Sequence, residues 1–274
     1  MNIPSRAYVF CQSVFDRFIT QNGTLTITFE EFLFLEIDRQ KSMLSPEHKV
    51  DILNGSLKRH LSVFIQLFAK TLGINSGLID GFWGPQTDYA FWTLIHYDEN
   101  GCLPPLWRDY EIPDINPNHW PDEKENEMIA FYGQPGDESK HVYIQLPYEL
   151  CLAWDISTKL KRLLCHQKVE DSLLRVLTAV RLHYGDNEIK TLRLDRFGGC
   201  YNYRRKRGGS SWSTHAWAIA LDFDPDRNQL QWGRDRAHFA KPEYDFWWSC
   251  WEKEGWVSLG RKSNYDWMHL QAAR

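Results

Sequence analysis

STHAWAIALDFD, residues 213–224, is the stretch from which the rest of the chain can be read. From Ala218 onward it alternates with the period of two that a β-strand imposes. Ile219, Leu221 and Phe223 fall on one face, suited to a core, and Ala220, Asp222 and Asp224 fall on the other. An acid flanked by alanines on a strand face has room in front of it for an ion and a substrate. His215 stands just before the strand, where a turn can swing its imidazole over the face that carries Asp222.

A second segment near the end of the chain, NYDWMHLQ at 264–271, complements the first. Asp266 and His269 share a face if the chain turns between them. Two imidazoles and a carboxylate suit zinc, and three protein ligands leave a fourth position open. A further carboxylate that does not bind the metal is what a general base requires. A lone histidine before a strand, or a lone aspartate on one, is ordinarily a packing or solvated residue. The order and spacing of the whole set carry the metal reading. His238, in RDRAHFAKPEY, reads as structural. Glu252 and Glu254 are rival bases, but they lie on an amphipathic helix where charges face water, and they rank below Asp266.

These residues resemble the zinc peptidases that include D-alanyl-D-alanine carboxypeptidases and phage L-alanyl-D-glutamate endolysins. The family pattern is S-x-H-x-x-G-x-A-x-D followed by D/E-x-x-H near the C-terminus. Ser213, His215, Ala220 and Asp222 match the first part, and Asp266 and His269 match the second. FGGCYNYR before the first motif and EGW at 254–256 agree, so the resemblance covers roughly residues 145–274. It implies that His215, Asp222 and His269 hold Zn2+ and that Asp266 is the catalytic base. It also implies an arginine that stabilises the oxyanion or holds substrate, with Arg204 nearest the position and Arg205 and Arg207 as close rivals. Ser213 joins Arg204 in substrate binding. Ala218 stands where the family has glycine, a departure expected to narrow the site or alter the backbone beside His215.

Upstream, residues 1–52 read as a helical N-terminal region. Thr28 to Glu31 has the form of a capping box opening an apolar helix. TFEEFLFLEIDRQ lacks the loop of oxygen ligands that calcium needs. Residues 53–97 read as a helical module in which Leu61, Phe64, Ile65, Phe68 and Leu72 share a face. Thr87 is placed to cap its second helix. LGINSGLIDGFWGPQTDYAFWTL resembles the small peptidoglycan-binding module through Leu72, Gly73, Gly77, Ile79, Asp80, Gly81, Gly84, Thr87 and Ala90. Residues 98–145, rich in proline and carrying the acidic run DEKENE, read as a linker or wrapped connection. Residues 146–274 form the expected peptidase domain. Its first part, to about Tyr184, reads as strongly helical and ends at Gly185 as a C-cap. The expected fold is α+β: a small antiparallel sheet flanked by helices, preceded by a small all-α module.

A net charge of −4 argues against an electrostatic grip on nucleic acid. No apolar run reaches the roughly 18 residues that would span a bilayer. The N-terminus has no signal-peptide pattern, and six scattered cysteines with no C-x-x-C pair read as reduced thiols. The expectation is therefore a cytoplasmically made protein, monomeric by preference, that acts on the cell wall after release. An endopeptidase cutting between L-alanine and D-glutamate of peptidoglycan is favoured. A D-Ala-D-Ala carboxypeptidase and a non-catalytic wall-binding or phage structural protein are the alternatives. A lysostaphin-type enzyme is excluded, because that class needs H-x-H and the chain has none.

Overall fold

The computed structural model describes residues 3–23, 26–105 and 111–274. The chain divides into two compact units, Met1–Leu106 and Trp107–Arg274. Among the described residues no helix is long and apolar enough to cross a membrane.

The first unit contains the helices α1 (Ser5–Asn22), α2 (Phe29–Arg39), α3 (Lys49–Leu53), α4 (Leu57–Thr71) and α5 (Pro85–Asn100). The capping box of α2 forms as expected: Thr28 accepts from the Glu31 backbone while the Glu31 side chain accepts from Thr28 N–H. Leu61, Phe64 and Ile65 of α4 are buried, with Phe68 and Leu72 packed beside them. Residues 1–52 are not a separate body, since Phe10 packs on Phe91 and Phe32 on Phe64 in one shared core. The LIDG turn is held from within. Gln66 donates to Asp80, the Phe82 carbonyl and Thr87, and accepts from Gly81 N–H. Thr87 is therefore a buried partner of this network, and the N-cap of α5 is Gly84. Gly81 has φ +73°, and a Cβ there would meet Arg59 Cγ at 2.7 Å, so backbone and space both demand glycine.

The second unit is mixed α/β, with a six-stranded sheet flanked by helices. Its strands are β1 (His141–Leu152), β2 (Asp155–His166), β3 (Arg196–Gly199), β4 (Ala220–Phe223), β5 (Val257–Ser258) and β6 (His269–Gln271), arranged β2-β1-β3-β4-β6-β5. The helices are α6 (Glu125–Tyr132), α7 (Glu170–Thr191), α8 (Asp245–Lys253) and α9 (Leu259–Ser263). The sheet is not wholly antiparallel. β1 and β3 run parallel, which a chain can achieve only through a long crossover, here supplied by β2 and α7.

Residues 155–166 depart from the expected helix. Leu160, Leu163 and Leu164 are spaced three and four apart, but the segment pairs along β1 from His141↔His166 to Leu152↔Asp155. Burial of Leu163 and Cys165, with Leu164 less buried between them, follows the strand period. The helix begins only at Glu170, and it breaks at Gly185 (φ 68°, ψ 166°), the expected end, where a second helix follows directly across a kink. Residues 111–145 of the expected linker also belong to this unit. Trp120, Met128 and Tyr132 are core residues, and the Tyr132 hydroxyl donates to the Ala272 carbonyl at 2.6 Å. Four aromatic side chains of α8 and the residues beside it, Tyr244, Trp247, Trp248 and Trp251, are fully buried behind the sheet.

Phe223 lies where these layers meet, fully buried against Phe197, Trp247 and Trp251. Phe223→Ala should destabilise the second unit by about 3–5 kcal/mol, measured by denaturant unfolding. A cost below about 1 kcal/mol would contradict this packing.

Candidate metal centre

Three chain segments converge on Asp222. β4 presents its carboxylate from the sheet, and β6 pairs with β4 so that His269 lies directly across from it. The third segment is a turn of 3-10 helix, Thr214–Trp217, that carries His215. This turn ends at Ala218 in the left-handed region (φ 57°, ψ 38°), and the reversal lets the chain enter β4 with His215 still facing Asp222. Gly198 of β3 allows close approach on the other flank, since a Cβ there would lie 3.0 Å from Asp222 Cβ. Asp266 reaches the site through a tight turn. It has φ 52°, a conformation Asp tolerates better than most residues, and its carbonyl accepts from His269 N–H at 3.0 Å.

One ligand atom from each of His215, Asp222 and His269 lies within 4.8 Å of the others. His215 Nδ1 donates to the Cys200 carbonyl at 2.7 Å, which directs Nε2 toward Asp222 Oδ2 at 3.4 Å. His269 Nδ1 lies 3.1 Å from Asp222 Oδ1. One carboxylate thus faces two imidazole nitrogens, and each gap calls for an N–H hydrogen or a metal ion, since a nitrogen lone pair set against a carboxylate oxygen is repulsive. Burial raises the Asp222 pKa, but hydrogen bonds from His215 and His269 outweigh it and hold the group below the usual carboxylate range. The donor set fits zinc in type and number, and both histidines would face an ion here from an oriented ring.

An open cleft of about 330 Å³ lies over this cluster. Ser213, Asp266 and Arg204 line it with His215, Asp222 and His269, so the expected site residues are brought together. Asp266 is 7% exposed, and its Oδ1 has no hydrogen-bond partner among the described residues. Burial pushes its pKa up to about 6, with His269 opposing and Asp222 assisting.

Of the three arginines only Arg205 is set apart from the cleft. Residues 204–213 form a narrow arm in which Arg205 bridges Trp212 and Ser213 N–H donates to the Arg204 carbonyl. Arg204 and Lys206 face the cleft, as does Arg207. Arg205 is turned away, stacked over Trp212 at 3.7 Å and bonded to the Ser210 carbonyl. The rival bases are otherwise engaged, and neither faces water as the sequence reading expected. Glu252 is buried against Arg261 at 2.9 Å, and Glu254 pairs with Arg175 at 2.7 Å. Asp224 also departs from its expected place beside Asp222. At φ 43° it leaves the strand and is buried between Arg193 and Arg227, each at 2.6 Å.

Thr214, Gln271 and Glu123 line the cleft without having been expected there. Gln271 was legible in principle, two residues after His269 on a strand and therefore on the same face. Glu123 carried no local signal, because its role depends on contact with a strand almost 150 residues away. Compared with known proteins, the chain matches no family model, no curated protein and no solved structure.

Ala218 does not narrow the cleft: it is fully buried in the hydrophobic core and sits at positive φ. Ala218→Gly trades left-handed strain of about 1–2 kcal/mol against glycine's entropy and a lost methyl, and should stay within about 1 kcal/mol of wild type. Ala218→Val adds a β-branched side chain to both the strain and the packing and should cost on the order of 3 kcal/mol. Thermal unfolding of the two variants checks the contrast.

If the cluster takes zinc, metal at a hundred times its dissociation constant should stabilise the unit by about 2.7 kcal/mol. Chelator should reverse the shift, and His269→Ala should abolish it. An unchanged unfolding midpoint on titration with zinc would count against a metal site here.

Proposed function

We propose that this protein is a zinc-dependent peptidase that hydrolyses an amide bond in the stem peptide of peptidoglycan, in the manner of an L-Ala-D-Glu endopeptidase. The observation that carries the reading is the convergence in one open cleft of His215, Asp222 and His269 with the unpartnered carboxylate of Asp266. Zinc held by that triad would supply Lewis acidity, polarising a carbonyl and acidifying water.

The remaining roles belong to the chain. Asp266, held in a fixed turn beside the ligands, accepts the proton of the attacking water and returns it to the leaving amine. Arg204, tied back to back with Ser213, offers a guanidinium to the developing oxyanion or to a substrate carboxylate. Arg207 adds charge at the same wall. Leu230, Leu259, Tyr265 and Met268 form an apolar flank on which a short peptide side chain can rest.

The cationic wall also favours a second reading, a D-Ala-D-Ala carboxypeptidase, whose substrate ends in a carboxylate. The likeness of residues 53–97 to a peptidoglycan-binding module supports a cell-wall substrate in either case. In that module Asp80 and Gly81 serve the turn itself. Protein partners beyond the wall, and nucleic acid, have no place in this proposal.

The experiment is incubation of the zinc-loaded protein with purified peptidoglycan, with fragments and new amino termini identified by mass spectrometry. New D-glutamate amino termini are expected, and free D-alanine alone would establish the carboxypeptidase. Asp266→Asn should lower turnover by roughly a hundred- to ten-thousand-fold while leaving zinc bound. Metal-loaded wild type that releases neither product would make this a wall-binding protein instead.

A further inference from the structure

Two polar side chains at the cleft wall, one buried and one half-buried, have no part in the scheme above. Gln271 is 3% exposed and lies on β6 two residues beyond His269. Its amide has one permitted orientation. The NH2 group donates to Glu123 Oε2 at 3.1 Å and to the Ala273 carbonyl at 3.2 Å, both of which can only accept. The amide oxygen must therefore face the other way, where it lies 3.1 Å from His269 Nε2 and accepts from the Thr214 hydroxyl at 3.3 Å.

An acceptor so placed calls for a proton on Nε2 of His269. Of the two neutral tautomers it selects the one whose free lone pair is on Nδ1, the nitrogen that faces Asp222 Oδ1. Reversing the amide would set its NH2 against His269 and its oxygen against the Glu123 carboxylate. Glu123 prevents this and is itself pinned: its N–H donates to the Arg274 carbonyl, and Lys206 pairs with its carboxylate at 2.6 Å.

We propose that Gln271, locked by Glu123, is a positioning residue that fixes the tautomer and ring orientation of His269 so that Nδ1 is presented to the metal. The inference rests on the metal-centre reading. It also explains why residue 123, far from either motif, reaches the cleft. Orienting partners of this kind typically contribute ten- to a hundredfold in metal affinity.

The test is zinc affinity of the full chain, measured by competition with a chromophoric chelator, alongside thermal unfolding of the metal-free protein. Gln271→Leu should weaken zinc binding by roughly 10- to 100-fold. Glu123→Leu removes one of the two acceptors that fix the amide and leaves the Ala273 carbonyl, so it should weaken zinc binding in the same direction but by less. The exchanged pair, Glu123→Gln with Gln271→Glu, again sets an acceptor against His269 and a donor against that acceptor, but turns a carboxylate oxygen to the Ala273 carbonyl, and should recover part of the loss. A purely structural role would lower the unfolding midpoint of the metal-free variants and leave zinc affinity unchanged. That pattern, or an exchanged pair as weak as Gln271→Leu, overturns the proposal. Wild type that binds no zinc removes the metal reading itself, a result distinct from wild type and Gln271→Leu binding equally well.

Discussion

The register of β4 against β6 is the constraint on which the candidate site depends. Asp222 is paired with His269, and Leu221 with Leu270. A slip of one residue would turn Asp222 toward the core and bring Leu221 to the cleft, because strand side chains alternate strictly. The register is enforced by burial behind the sheet, where Leu221, Phe223 and Leu270 are fully enclosed by the tryptophans of α8 and its surroundings. Hydrophobic packing on one face thereby determines polar geometry on the other. The two other elements of the site, the turn bearing His215 and the turn bearing Asp266, are anchored to the same two strands.

Electrostatics within the cluster divide the two carboxylates by environment. Asp222 is half-buried yet held ionised by two facing imidazoles, whereas Asp266 is buried with an unpartnered oxygen and is shifted upward. One group is suited to lie against a cation and the other to exchange a proton. Around them each imidazole is held at its distal nitrogen by a different device, the Cys200 carbonyl for His215 and the Gln271 amide for His269. Ala218 bears on the backbone rather than on the cleft, since its methyl lies in the core at a left-handed position.

Local patterns were readable where one physical requirement dominated. The capping box at Thr28, the apolar face of α4 and the strand alternation of residues 219–223 each follow from neighbours in sequence. Reading failed where local patterns were ambiguous. Leu160, Leu163 and Leu164 suit a helix as well as a strand, and pairing with β1 decided between them. The acidic, proline-rich stretch before β1 looked like a connection, because Trp120, Met128 and Tyr132 are too sparse to show a period.

By itself the sequence determined the donor types, their order, and the strand that carries Asp222, because residue chemistry and a period of two are written in one dimension. It named Arg204 with Arg205 and Arg207 as rivals, and the structure sets only Arg205 aside, since Arg207 lines the cleft with Arg204. Only the tertiary structure decided that Glu252, Glu254 and Asp224 are neutralised by arginines, and that Glu123 reaches Gln271 across 148 positions of chain. Partnership between distant side chains is a property of packing. No local rule foretells which buried charge finds a counter-charge and which, like Asp266, is left facing an open cleft.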